Sequence, residues 1–152
     1  MDEVFDFLAE GAFDWSPSSV EKLAARLDLK LAATKGTRTT WRKGGTSLSA
    51  YREGETLRRA EITFWVREPD EDETRYRADL SAMQTEYSRR LDQAQRRLGK
   101  AVFEGGPDDP GAPPDEDAVR MALWPQSWGR LMLKMLHEDR DIPLRVSLVL
   151  AR

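Results

Sequence analysis

A chain of 152 residues, 39% hydrophobic and 34% charged, holds enough apolar side chain for one core and too much charge for a membrane protein. It has no cysteine and one histidine, which excludes disulfides, thiolate nucleophiles and zinc sites built from several imidazoles. The net charge of -3 gives no general basic character of the kind that points to nucleic acid.

The N-terminus, Met1-Asp2-Glu3-Val4-Phe5, begins acidic and lacks the basic start and apolar centre of a secretory signal, so a cytoplasmic protein is expected. A short helix is predicted from about Asp2 to Glu10, stopped by Gly11, with Val4, Phe5 and Leu8 as its apolar stripe. A second helix starts either from Ser16 as N-cap with Pro17 at the first helical position, or from Ser18 and Glu21 as a capping box. Val20, Leu23, Ala24 and Leu27 then fall on one face. Phe13 and Trp15, just ahead of the cap, are placed to staple this helix to a sheet.

Four strands follow, at Leu29 to Ala33, Thr39 to Lys43, Leu48 to Arg52 and Leu57 to Glu68, with glycine-containing turns between them. In the last, Ile62, Phe64 and Val66 alternate with Thr63, Trp65 and Arg67, the pattern of an antiparallel meander. Pro69 ends it. A long helix then spans about Asp72 to Leu98, with Tyr76, Leu80, Met83, Tyr87, Leu91, Ala94 and Leu98 on one stripe. Its acidic first turn, basic last turns and Gly99 all agree with the helix dipole and with C-capping.

Residues 104–117 are rich in proline, glycine and acid, and are expected to form a surface loop that folding does not need. Strands at Ala118 to Trp124, Gly129 to Glu138 and Leu144 to Ala151 close the chain, with a hairpin turn at Asp139-Arg140-Asp141. The expected fold class is therefore α+β, in a single domain over 1–152. A curved antiparallel sheet, made of the meander and the C-terminal hairpin, packs against one long and one or two short helices.

Motifs for catalysis are missing. There is no Walker loop, no GxGxxG and no metal-ligand spacing. His137, beside Glu138 and Asp139, reads as a surface residue at a strand end, and Ser127 lacks the glycine frame of a nucleophile elbow. No catalytic, cofactor or metal residue is assigned, and a non-enzyme is expected.

The five tryptophans carry a stronger signal. Alternation sets Trp65 and Trp124 opposite the apolar residues of their strands, on a sheet face that helices would leave open. With nearby Trp128 they are candidate partner-binding anchors, since aromatics among arginines are enriched at interface hot spots. Asp108, Asp109, Asp115, Glu116 and Asp117 are a second candidate, an acidic cluster able to enter a basic cleft on a partner.

Phe13-Asp14-Trp15-Ser16, followed by Val20, Leu23, Ala24 and Leu27-Asp28-Leu29, resembles the opening of small actinobacterial immunity proteins encoded beside polymorphic toxins. The resemblance extends to the layout of short helix, meander, long helix and terminal strand pair. It implies a cytoplasmic inhibitor, monomer or homodimer, that occludes the active site of a cognate C-terminal toxin domain. It brings no catalytic residues, and no membrane or direct nucleic-acid contact is expected. The layout is also similar to bacterial secretion chaperones, so a chaperone or adaptor holding a client protein is the alternative, ahead of a carboxylate-based hydrolase.

Overall fold

A computed structural model describes residues 2–114 and 116–152. Among them are three helices, α1 (Asp2–Ala9), α2 (Pro17–Arg26) and α3 (Glu73–Leu98). The strands are β1 (Lys30–Lys35), β2 (Arg38–Lys43), β3 (Thr46–Glu53), β4 (Thr56–Arg67), β5 (Phe103–Gly105), β6 (Arg120–Gln126), β7 (Gly129–Leu136) and β8 (Leu144–Ala151). All eight join in one open antiparallel sheet of order β1-β2-β3-β4-β8-β7-β6-β5. The fold is α+β, as expected. No helix among the described residues is long and apolar enough to cross a membrane.

Local chemistry sets the helix ends. The Ser16 hydroxyl accepts from the Ser19 N–H at 3.2 Å and Pro17 takes the first helical position, so the Ser16 cap is the one used. Asp14 accepts from the Ser16 hydroxyl, the Ser19 hydroxyl and the Ser16 N–H, and these bonds hold its carboxyl at a pKa of about 2. On α3, Asp72 accepts from the Arg75 N–H at 2.9 Å, and Gly99 leaves the helix with φ of 80°, a conformation open to glycine.

The two faces of the sheet differ. Leu48, Ile62, Leu148 and Leu133 lie side by side across β3, β4, β8 and β7, all fully buried, and belong to the main core. α3 lies over β7, β8 and β4 on this face, with Tyr76, Met83, Tyr87, Leu91 and Ala94 buried, and α1 packs against α3. Arg90 is also buried on α3. It stacks over Phe64 at 4.4 Å and pairs with Glu86 at 2.7 Å, so the helix stripe includes a charge that apolar periodicity passes over.

The loop expected over 104–117 is shorter. Phe103–Gly105 pairs with β6 as an edge strand, and the linking segment begins at Gly106. The C-terminal strands enter the meander by pairing β8 with β4.

This layering predicts unequal costs for two leucines. Leu148→Ala, at a fully buried central position, should lose about 2–5 kcal/mol in chemical denaturation. Leu31→Ala, on an edge strand and 65% exposed, should change stability by less than about 0.5 kcal/mol. Equal losses would contradict the layer assignment.

Candidate functional site

The second face of the sheet, turned away from the helices, is divided into two halves. Pairing aligns Arg42, Ser47, Thr63, Ser147, Lys134 and Met121 in one row, and Thr40, Ser49, Glu61, Val149, Met132 and Leu123 in the next. The β8-β7-β6 half buries Lys134 and Ser147 beside an apolar group, Met132, Val149 and Ala151, packed together next to Leu123.

Lys134 is mid-strand and its side chain is only 3% exposed. A lone buried ammonium costs several kcal/mol, so it must find acceptors. The segment Gly106 to Val119 supplies them. It crosses this half of the face as a strap and inserts Glu116, whose side chain is 4% exposed. The Glu116 carboxylate bonds the Lys134 ammonium and takes a forked pair from Arg59, both at 3.2 Å, with Arg130 at 3.8 Å. Lys134 also donates to the Asp117 carbonyl at 3.2 Å. Burial pushes the Glu116 carboxyl up, but hydrogen bonds and charge from Arg59 and Lys134 outweigh it and hold the group below the ordinary glutamate range.

The β2-β3-β4 half has no strap. It forms a cleft of about 400 Å3 floored by Ser47, Ser49, Tyr51, Glu61 and Thr63, with Arg38, Arg42 and Arg145 among its walls. Arg145 and Glu61 face each other at 3.7 Å. The Arg145 Nε and the Glu61 Oε1 are both buried without a hydrogen-bond partner among the described residues. Arg38 and Arg42 make no ion pair among the described residues. The cleft therefore combines fixed hydroxyls with unspent donors and acceptors on a rigid sheet.

The aromatic anchors expected on this face lie elsewhere. A bulge in β4 between Thr63 and Trp65 shifts the alternation, so Trp65 pairs with Val146 and packs partly buried against the main core. Trp124 is 2% exposed within that core and donates its indole N–H to the Gly99 carbonyl at 2.9 Å. Trp128 is buried too, edge-on to Phe13 at 5.2 Å and to Trp15 at 6.0 Å, while its carbonyl accepts the Trp15 indole N–H at 2.7 Å. The expectation that Trp65 and Trp124 lie on the open face is corrected, and Trp128 is no exposed anchor either, because Trp124 and Trp128 tie the loops after α3 and β6 to the core. Trp15 holds a left-handed φ of 61° within this clasp.

The acidic candidates also separate. Glu116 is buried in its cation cluster and is corrected from partner contact to internal anchor. Asp109 accepts from the Gly106 N–H at 2.6 Å and shapes the turn, and Asp108 and Asp117 are exposed. Asp115 lies outside the described residues. His137 bonds the Tyr76 hydroxyl through Nε2 and makes no hydrogen bond to a serine among the described residues. Among the described residues there is no group of three or more histidine or carboxylate side chains fit for a metal ion.

Sequence reasoning did not single out Lys134, Glu61, Arg145, Arg38 or Arg42. One signal was present, a lysine inside the apolar run Leu131 to Leu136, where a solvated charge has no place. Comparison with known proteins gives no matching family model, no similar curated protein and no similar solved structure.

The strap makes a further expectation of dispensability testable. Glu116→Ala leaves Lys134 buried without its main partner and should cost about 3–5 kcal/mol in denaturant unfolding. The double change Glu116→Leu with Lys134→Met should recover most of that loss, since buried pairs are often replaceable by apolar groups of similar size. A Glu116→Ala protein as stable as the parent would mean that the strap does not anchor there.

Proposed function

We propose that this chain is a binding protein of the immunity type, which lays the uncovered half of its second sheet face against a partner toxin domain and occludes that domain's active site. The observation that carries this reading is the β2-β3-β4 cleft, where three arginines and a floor of hydroxyls stand on strands with hydrogen-bonding capacity unspent. Such groups give an interface specificity and rapid electrostatic capture more than raw affinity. Placement on central strands keeps them preorganised, so little ordering entropy is lost on binding. The anchors in this reading are arginine and tyrosine rather than tryptophan, both of them enriched at interface hot spots.

A blocking substitution tests the surface. Ser47 lies on the cleft floor, and its side chain makes no hydrogen bond among the described residues. Ser47→Arg should fill the cleft with little change in thermal midpoint. Coexpressed with a toxin domain encoded beside its gene, the parent should restore growth and bind as a folded complex of fixed ratio. The Ser47→Arg protein should bind at least about thirtyfold more weakly, equivalent to about 2 kcal/mol, the scale of one hot-spot residue. Full protection by Ser47→Arg would remove this face as the binding surface. A parent dimer that holds only unfolded segments would favour the chaperone reading instead.

A further inference from the structure

The uncovered half of the second face also has the chemistry of a small-ligand site. Arg38 and Arg42 both line the cleft from β2, two residues either side of Thr40, and neither has an ion-pair partner among the described residues. Both also border a smaller hollow with Thr40, so each residue lines two recesses. The acidic groups in the lining do not neutralise them. Glu61 is engaged with Arg145, and Glu68 stands exposed beyond Ser47 and Thr63, where the β3–β4 pairing ends. The β2 wall is therefore cationic.

The floor is different. Glu61 and Arg145 both line it, and the Glu61 side chain is partly exposed there, so its carboxylate is the acceptor that the floor offers. The Tyr51, Ser47 and Thr63 hydroxyls around them can donate or accept. The same face already receives one oxyanion, since Arg59 on β4 forks onto the Glu116 carboxylate of the strap. Arg59 is in register with Tyr51 and Arg38, so the cationic row continues from the occupied half into the empty one.

We infer that this cleft binds a small oxyanion that carries a neighbouring hydroxyl. The phosphate or carboxylate sits against Arg38 and Arg42, and the hydroxyl donates to the Glu61 carboxylate on the floor. Arginine suits the first role because its planar fork matches both oxyanions. The second role sets specificity, because an anion without the hydroxyl leaves the Glu61 acceptor unfilled. The inference uses the uncovered face of the proposed function but does not depend on the partner being a toxin.

The test is a titration of the full chain at low ionic strength, followed by backbone amide resonances. Glycerol 3-phosphate and glycerate are the hydroxylated probes, and inorganic phosphate and acetate are their plain counterparts. At least one hydroxylated probe should give saturable shifts centred on residues 38–51 and 61–63, about tenfold tighter than its plain counterpart. The better of the two identifies the oxyanion. Glu61→Leu, which removes the acceptor oxygens, should abolish the preference for the hydroxyl while plain anions still bind. Arg38→Ala combined with Arg42→Ala should weaken all four by about tenfold or more, with the thermal midpoint unchanged. No saturable shift with either hydroxylated probe, or the same affinities in the arginine double variant, would overturn the inference. Toxin capture that persists while anion binding is absent would overturn this inference alone.

Discussion

A lysine in the middle of a central strand dictates how the second face of this sheet is arranged. Lys134 lies between Leu133 and Met135, in a strand whose neighbours on both sides are apolar, and its side chain is almost wholly buried. No strand beside it offers a carboxylate in register. The counter-charge has to come from a segment that crosses the face, and Glu116 brings it. The Glu116 partners Arg130 and Lys134 stand on β7 either side of Met132, which forms a small buried apolar group with Val149 and Ala151. The strap reaches no further than Arg59. Beyond it, β2, β3 and the outer side of β4 stay uncovered, and the polar cleft occupies that remainder.

The division also explains why the two faces can carry different tasks. The helix-covered face holds the main core, with α3 spanning the join between the meander and the C-terminal strands through β4 and β8. Glu86 and Phe64 hold Arg90 there and the Gly99 carbonyl holds the Trp124 indole, while the Tyr87 hydroxyl and the Trp128 Nε1 are buried without a partner among the described residues. On the second face the strapped half is closed by a buried ion cluster. The open half keeps partnerless polar atoms at Glu61 and Arg145. Stability therefore rests mainly on the first face and the strap, and the cleft can change without loss of the fold.

The helices and the meander were legible because their signals are local. Ser16 with Pro17, Asp72 and Gly99 mark helix ends through backbone groups a few residues away, and glycine turns mark the strands. What escaped depends on pairing at long range or on one irregular residue. The β8–β4 pairing joins residues 77 to 92 positions apart, and no periodicity within either strand points to the other. The β4 bulge adds one residue at Phe64 and moves the Trp65 ring to the opposite face, which strict alternation cannot foresee. Trp128 meets Phe13 and Trp15 across the length of the chain, so its burial was invisible locally. The acidic loop misled for a related reason. Its composition suits a solvated segment, and only Lys134, nearly twenty residues later, makes Glu116 an internal anchor. The cleft itself had no sequence signature, because Arg38, Arg42, Glu61 and Arg145 come from three strands brought together by register.

The most direct measurement of this arrangement is the titration of the Glu116 side-chain carboxyl by carbon NMR. Its pKa in the folded chain lies below the ordinary value of about 4.3, and the group is near that value when unfolded. The stabilisation from this carboxylate is therefore complete above the unfolded pKa and disappears as pH falls through the folded one. The account predicts a Glu116 carboxyl that stays ionised below the ordinary range, with strap and Lys134 resonances moving together when it finally protonates. A carboxyl that titrates at the ordinary value, with strap resonances at random-coil positions, would contradict it.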